Sequence, residues 1–152
     1  MLQAIDEPTI TMLLLFLTNS FVIALAVAVH YEFLYRATRL IPKMSIKPRL
    51  RIVFGVFTAL AAHAVEVWIF AISYYFIHHH GGWGQLEGNF NGSLMDCAYF
   101  SFTTYSTLGF GDIQPMGEIR FLTGLESLTG LVLVTWSASF LYFEMQRLWS
   151  GG

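Results

Sequence analysis

Three long apolar runs, separated by polar segments, dominate the pattern of the chain. Residues 10–29 contain no charged side chain and have the length that a helix needs to cross about 30 Å of hydrocarbon. A second run covers residues 52–77, where Glu66 is the only charged residue, and a third covers residues 121–143, where Glu126 is the only one. The pattern therefore predicts three transmembrane helices.

The first run has one alternative interpretation, a cleaved signal peptide. Ala26, Val27 and Ala28 resemble the small residues of a cleavage site. The residues before the run, however, include Asp6 and Glu7 and no Lys or Arg, whereas a signal peptide begins with basic residues. A retained transmembrane helix fits the sequence better.

Composition excludes several other classes of protein. The chain has 152 residues, of which 55% are hydrophobic and 12% are charged, and this is too apolar for an ordinary soluble or disordered protein. Eight Lys and Arg against ten Asp and Glu give a net charge of −2, so no basic field indicates a nucleic-acid partner. A single cysteine, Cys97, excludes an intrachain disulfide.

The positions of the cations predict the orientation of the chain in the membrane. Cytoplasmic loops are rich in Lys and Arg, so the linker at residues 36–51 and the end near Arg147 should face the cytoplasm, with the N-terminus outside. A basic loop without topological meaning is the alternative. The chain shows no targeting peptide, and we expect a multi-pass cell-membrane protein, consistent with a bacterial inner membrane. Six of the eight Lys and Arg residues lie in the linker at residues 36–51, which contains no acid: Arg36, Arg39, Lys43, Lys47, Arg49 and Arg51.

A further apolar stretch between the second and third runs is too short to cross the membrane. Fifteen uncharged residues separate Asp96 from Asp112, so this stretch should enter the membrane and return on the same side. Residues 93–106 contain no Gly or Pro and begin with Ser93, a favourable N-cap residue. We therefore predict a short re-entrant helix.

The residues after this helix predict an irregular backbone. Gly109 and Gly111 allow a positive φ at alternate positions, so that successive carbonyls can point to one side. Irregular backbone at membrane depth is tolerated only where protein buries it or where it lines a water-filled path. Carbonyls of Thr107, Leu108, Gly109 and Phe110 from several chains around one axis would replace the hydration shell of a cation.

Residues 103–112, TTYSTLGFGD, resemble the selectivity-filter signature of tetrameric potassium channels, T-x-x-T-x-G-Y-G-D. The resemblance covers about residues 52–149. It implies that residues 107–111 form a K⁺-binding filter, that Asp112 lies at its outer mouth, and that the chain assembles as a homotetramer in the lipid bilayer.

The expected fold class is an all-α membrane protein with three transmembrane helices, a re-entrant pore helix and a filter loop. We expect no cofactor other than K⁺ ions in the filter, and no nucleic-acid partner. The expected segments are an additional N-terminal helix in residues 1–35, a basic cytoplasmic linker in 36–51, and a pore domain in 52–149, divided into an outer helix 52–77, an external turret 78–92, a pore helix 93–106, a filter 107–112 and an inner helix 118–149.

The filter departs from the family pattern in its side chains. Leu108 stands where the family usually has Val or Ile, and Phe110 stands where it usually has Tyr. The Tyr hydroxyl of the family bonds an aromatic residue of the pore helix, but here that residue is Phe100, and neither ring can make the bond. We therefore expect a softer filter supported by Phe packing. Passive K⁺ conduction is the main hypothesis, and a weakly selective Na⁺/K⁺ channel is the alternative.

Two acids lie inside the predicted transmembrane helices. A charged side chain at the centre of such a helix costs about 2.5–3.5 kcal/mol, so an acid there is expected to have a functional or structural role. Our hypothesis is that Glu66 and Glu126 support the filter. One or both would be protonated, or hydrogen-bonded to pore-helix groups such as Thr103, Thr104 or Tyr105.

Histidines provide the candidate pH-sensing groups. His63 precedes Glu66 by three residues and shares its helical face, which fits an ion pair or a proton sensor. A neutral histidine packed between helices is the alternative. His78, His79 and His80 lie where the second helix meets the external loop, and they fit either a metal or proton site or a solvated turret.

The third helix supplies the candidate cavity and gate. Helical spacing and the family resemblance place Val132, Thr135, Ser139 and Phe143 on the face that lines the cavity. Phe143 is the candidate gate near the inner mouth, because a hydrophobic constriction closes a pore by dewetting. The resemblance makes Gly130 a candidate hinge.

A membrane metalloenzyme that uses the five histidines and Glu66 is a distant alternative. Such a site needs several ligands that converge from different helices. His78, His79 and His80 are consecutive, and His30 ends the first apolar run, so we expect His30 near the opposite membrane face. We therefore predict no metal site and no enzymatic activity.

Overall fold

The computed structural model describes residues 7–80 and 82–149. Asp6 and the other first residues of the predicted segment 1–35 lie outside the described residues, as does residue 81 of the predicted turret. The elements in chain order are α1 (Glu7–Leu40), a 3₁₀ turn (Ile41–Lys43), α2 (Pro48–His80), β1 (Gln85–Gly88), α3 (Leu94–Tyr105), β2 (Ile113–Met116) and α4 (Ile119–Trp149).

The prediction of an all-α membrane protein with three spanning helices is confirmed. Within the described residues, three helices are long and apolar enough to cross a membrane: Thr9–Lys43, Arg49–His80 and Ile119–Arg147. Each extends beyond the apolar run that predicted it, because polar and charged residues at a membrane surface can continue a helix that no Gly or Pro interrupts.

α1 shows this extension most clearly. The apolar run ends at residue 29, but the helix continues to Leu40. Glu32 and Arg36, four residues apart, form an ion pair of 2.6 Å on its exposed surface and favour the added turns. Pro42 then falls within the 3₁₀ turn that ends the helical run. His30 consequently lies well inside α1 rather than at its end.

α3 is a short helix held between the two long helices α2 and α4. The predicted N-cap is confirmed, since the Ser93 hydroxyl accepts a hydrogen bond of 3.1 Å from the backbone N–H of Asp96. One side of α3 is buried, and Phe100 packs edge-on against Tyr74 of α2 with ring centroids 5.0 Å apart. This packing fixes the direction in which α3 points.

A two-stranded antiparallel ribbon, which the sequence analysis did not predict, anchors the residues that follow the loop 107–112. β1 pairs with β2 so that Gly88 faces Ile113. The backbone N–H of Asn89 donates to the carbonyl of Asp112 at 2.8 Å. Gly88 is required at this crossing, because its φ is +103° and an added Cβ would lie 2.3 Å from the Asp112 carbonyl oxygen.

Gly130 brings α4 into direct contact with the end of α3. It is buried, and a Cβ at this position would lie 2.2 Å from the carbonyl oxygen of Tyr105. Gly124, one and a half turns earlier on the same helix, has no neighbouring atom within 4 Å of an added Cβ. The absence of a side chain at Gly130 therefore sets the spacing between the two helices.

We predict that Gly130→Ala lowers the thermal stability of the purified protein, because the new methyl group must push α4 away from Tyr105. Gly124→Ala is the matched control and should be neutral or stabilising, since Ala favours a helix over Gly. Thermal unfolding in detergent measures both variants. Equal melting temperatures for the two would contradict this packing role.

Candidate functional site

The loop after α3 has an alternating backbone conformation. Thr107, Gly109 and Gly111 have positive φ values of 59°, 52° and 79°. Thr107 is the only non-glycine residue with a positive φ in the described part of the chain. Two bonds hold the turn to the end of α3: Thr107 N–H donates to the carbonyl of Thr104 at 2.9 Å, and Gly109 N–H donates to that of Thr103 at 3.0 Å.

The same loop is open on the surface of the single chain. Leu108 and Phe110 are 60% and 65% exposed. Within the described residues, the carbonyl oxygens of residues 107–110 accept no hydrogen bond. The loop therefore has carbonyls without a hydrogen-bond partner in the described residues and two exposed apolar side chains.

The outer end of the loop is held by a side-chain bond that the sequence analysis missed. The hydroxyl of Tyr99 donates to Oδ2 of Asp112 at 3.0 Å. Desolvation, together with the bond to Asp112 and its charge, raises the pKa of Tyr99, so the hydroxyl remains protonated and available as a donor at neutral pH. The bond joins the first turns of α3 to the residue that follows the loop.

The two phenylalanines singled out from the sequence lie in different surroundings. Phe100 is buried against Tyr74 and lines one pocket together with Thr107, Gly109 and Gly111 of the loop. The ring of Phe110 lies parallel to that of Tyr99, with centroids 6.4 Å apart. Within the chain, Tyr99 rather than Phe100 is thus the aromatic neighbour of Phe110.

Glu126 of α4 lies behind α3 and is completely buried. Its two oxygens lie 2.5 Å from the hydroxyls of Tyr74 and Ser101, and the Ser101 hydroxyl also lies 2.9 Å from the carbonyl of Val67. A neutral Glu126 satisfies all of these groups, because it donates to Ser101, Ser101 donates to Val67, and Tyr74 donates to the remaining oxygen. The hydrogen-bond pattern therefore favours a protonated acid.

Glu66 of α2 supports the end of α3 and faces three donors. The hydroxyl of Tyr105, the last residue of α3, donates to Oε2 of Glu66. Nδ1 of His63 lies 3.0 Å from the same oxygen, and Nδ1 of His30 lies 2.8 Å from Oε1. An ionised carboxylate can accept all three bonds, so this acid differs in chemistry from Glu126.

Two of the expected partners of these acids bond elsewhere. The hydroxyl of Thr103 donates to the carbonyl of Phe100 at 3.0 Å, within α3. The carbonyl of Thr104 accepts from the hydroxyl of Ser127 at 3.1 Å. Of the three pore-helix groups named from the sequence, only Tyr105 meets an acid.

The expectation that metal-binding side chains do not converge from different helices is wrong for His30. The structure brings His30 to Glu66, and its ring centroid lies 5.2 Å from that of His63. Because α1 continues to Leu40, His30 lies within the helix where α1 packs against α2. Side chains that can bind a metal therefore come together from two helices.

The three consecutive histidines at the end of α2 mainly bond the backbone. Nδ1 of His79 and Nδ1 of His80 lie 2.8 Å and 3.0 Å from the carbonyls of Tyr75 and Phe76, one turn earlier in the same helix. His78 accepts a hydrogen bond of 3.2 Å from the backbone N–H of Leu86. The His78 bond links the helix end to β1.

On α4, Gly130 is separated from the other candidate cavity residues. Val132, Thr135, Ser139 and Phe143 are all exposed and follow one another at helical spacing. Gly130 is buried against Tyr105, as described above. The four exposed residues form one continuous face of α4 at the surface of the single chain.

Two long apolar helices that flank a short helix and an irregular loop with free carbonyls define a pore-forming membrane protein. Residues 62–146, more than half of the chain, match the model of a protein family described as "Ion channel", and the protein belongs to that family. The resemblance to pore-loop cation channels is thereby confirmed, and the family is one of channels rather than enzymes. Comparison with curated proteins and with solved structures gave no match.

We predict that the amide variants of the two buried acids differ in stability. Glu126→Gln keeps every bond, because its amide group donates to Ser101 and its oxygen accepts from Tyr74. In Glu66→Gln, the new NH₂ group faces side chains that themselves donate hydrogen bonds, so the free energy of unfolding should fall by about 1–3 kcal/mol. Thermal unfolding in detergent measures both, and similar losses in the two variants would refute the different protonation states.

Proposed function

We propose that four copies of the chain surround one axis and conduct K⁺ passively through the carbonyls of residues 107–111. The observation that carries the proposal is the loop itself, in which positive φ values at Thr107, Gly109 and Gly111 alternate with Leu108 and Phe110, which have no positive φ, beside two apolar membrane helices. Such a backbone can turn successive oxygens toward one axis and replace the water around a cation. The K⁺ ions in this filter are the only bound ligand that the proposal requires.

Assembly follows from the unsatisfied backbone of the loop. The carbonyls of residues 107–110 accept no hydrogen bond within the described residues, and the side chains of Leu108 and Phe110 are exposed. Lipid supplies no donors, so these groups need either partner chains or water and ions around them. One strand of carbonyls cannot enclose an ion, whereas a cyclic assembly of identical chains can.

The orientation of α3 adds an electrostatic contribution. Its C-terminal end, at Tyr105, leads directly into the loop, and the carbonyls of a helix C-terminus carry partial negative charge. In a symmetric assembly, four such ends around one axis would favour a cation. Asp112, held by Tyr99 at the other end of the loop, would add negative charge at the outer mouth.

The expected segments and topology form part of the same proposal. The helix of the N-terminal segment, described from Glu7, would pack beside a pore domain in 52–149, and the basic linker expected in 36–51 would face the cytoplasm, in the manner of a bacterial inner-membrane protein. The exposed face of α4 would line the cavity, with Phe143, 67% exposed in the single chain, as its gate.

A weakly selective cation channel is the second candidate, and the side chains of the loop favour it. Neither Phe100 nor Phe110 has a hydroxyl that could pin the loop to α3, and Phe110 makes only a ring contact with Tyr99. A loop whose Phe110 side chain is held only by ring packing adapts more readily to ions of different size. Conduction does not depend on this distinction, but selectivity does.

We predict that the purified protein is a tetramer and carries K⁺ into liposomes. Gly109→Ala should abolish the flux, because φ at this position is +52° and Ala disfavours such a conformation. The added Cβ meets nothing within 4 Å, so the chain itself should still fold. Cross-linking or mass determination in detergent measures assembly, and a K⁺-dependent fluorescence assay measures flux.

Gly82→Ala is the matched control for this experiment. Gly82 also has a positive φ, +92°, and open space around an added Cβ, but it lies in the external segment. Flux should therefore survive this substitution. A monomeric protein, or equal flux in the Gly109→Ala and Gly82→Ala variants, would overturn the proposed filter.

Bi-ionic reversal potentials distinguish the two candidate functions. With K⁺ on one side of a bilayer and Na⁺ at the same concentration on the other, a K⁺-selective filter gives a reversal potential far from zero, with the K⁺ side negative. A weakly selective pore gives a value near zero. Measurement on the reconstituted wild-type channel decides between them, and a value near zero excludes K⁺ selectivity.

A further inference from the structure

Four helices meet at a cluster of polar side chains in the interior of the protein. His30 comes from α1, His63 and Glu66 from α2, Tyr105 from α3 and Ser137 from α4. The side chains of His30 and Glu66 are completely buried, and that of His63 is 16% exposed. The ion-channel family match does not account for this cluster, because His30 lies outside the matched residues 62–146.

The cluster has the geometry of a ligand set. Each of His30, His63 and Glu66 offers one ligand atom, and these atoms all lie within 4.8 Å of one another. Nδ1 of His30 lies 2.8 Å and Nδ1 of His63 lies 3.0 Å from the oxygens of Glu66. In a tetrahedral shell with bonds of about 2.0–2.2 Å, ligand atoms lie about 3.3 Å apart, so small shifts of these side chains, with the bonded pairs opening and the wider separations closing, make room for an ion.

A fourth donor atom is close by. The Tyr105 hydroxyl lies 2.9 Å from Nδ1 of His63 and also bonds Oε2 of Glu66. It therefore stands beside two of the three ligand atoms. Nitrogen and oxygen donors of these kinds suit a first-row divalent transition metal better than Mg²⁺ or Ca²⁺, which prefer oxygen ligands.

The other nitrogens of both histidines face one hydroxyl. Nε2 of His63 lies 3.1 Å and Nε2 of His30 lies 3.5 Å from Oγ of Ser137. Metal-bound histidines typically donate their second N–H to a fixed acceptor, which sets the ring orientation. Ser137 occupies that position for both rings.

A cation between the Nδ1 atoms gives a consistent set of hydrogen positions. With a cation bound, both Nδ1 atoms carry no hydrogen, and both Nε2 atoms donate to the two lone pairs of Ser137. Two arrangements without a metal compete with it. In one, an imidazole is protonated; in the other, Nε2 of a neutral His63 carries the hydrogen and its Nδ1 accepts from the Tyr105 hydroxyl, 2.9 Å away.

We propose that His30, His63 and Glu66 bind a divalent transition-metal ion that joins α1 to the pore domain, with Tyr105 as the adjacent oxygen donor and Ser137 as the group that orients both rings. The ion neutralises the buried carboxylate, which is costly to leave uncompensated at membrane depth. Because Tyr105 ends α3 two residues before Thr107, the occupied site also fixes the base of the loop. This inference does not depend on K⁺ conduction.

The experiment measures Zn²⁺ binding to the full-length protein in detergent by isothermal titration calorimetry. The exposed cluster at the end of α2 also offers imidazoles, so the background variant carries His78→Gln, His79→Gln and His80→Gln. We expect this background to bind one Zn²⁺ per chain. Addition of His30→Gln should abolish that binding.

Ser137→Ala tests the orienting role without removal of a ligand. Loss of a group in this position typically lowers metal affinity about 10–100-fold, and we expect a change in that range. Ser73→Ala is the matched control, because Ser73 bonds only the backbone of its own helix, and it should leave Zn²⁺ affinity unchanged. Circular dichroism confirms that each variant is folded.

Substitution of Co²⁺ provides a spectroscopic readout. Bound Co²⁺ with a mixed nitrogen and oxygen shell of low coordination number absorbs in the visible range, and the band should disappear in His30→Gln. Absence of Zn²⁺ binding in the background variant would overturn the proposal and show that hydrogen bonds without a metal hold the cluster together. Binding that His30→Gln does not alter would equally overturn it. Neither result bears on ion flux, so failure here is distinct from failure of the channel proposal.

Discussion

Polar groups inside a bilayer must find their hydrogen-bond partners within the protein, because lipid supplies none. The described structure is arranged around this constraint. The polar side chains of the short helix α3 need hydrogen-bond partners from other helices. Two carboxyl groups on the long helices provide them: Glu126 bonds Ser101 in the middle of α3, and Glu66 bonds Tyr105 at its end. Removal of either acid would leave donors unsatisfied where water cannot replace them.

The two acids satisfy the constraint by different chemistry. Glu126 is surrounded by hydroxyls, one of which passes its hydrogen on to a backbone carbonyl, so a protonated acid completes the pattern. Glu66 faces only donors and therefore acts as a carboxylate. One acid can remain neutral in the protein interior, whereas the other requires a compensating positive charge. That requirement explains why histidines from two helices, and in our proposal a metal ion, surround Glu66.

α1 consequently belongs to the same network as the loop. Its residue His30 reaches the acid that holds the end of α3, and Thr107 lies two residues beyond that end. At the other end of α3, Tyr99 and the ribbon β1–β2 hold Asp112. Within the described residues, the carbonyls of residues 107–110, between these two attachments, accept no hydrogen bond, which is why our functional proposal depends on this loop.

Sequence alone determined the class of the protein, because the length of apolar runs and the spacing of glycines are local properties. It predicted three spanning helices, the N-cap at Ser93 and the acids as supports of the re-entrant segment. Tertiary structure decided which donors each acid meets, the ribbon β1–β2, and the arrival of His30 beside Glu66. These depend on helix length beyond the apolar run and on the rotation of one helix against another, and a single sequence specifies neither.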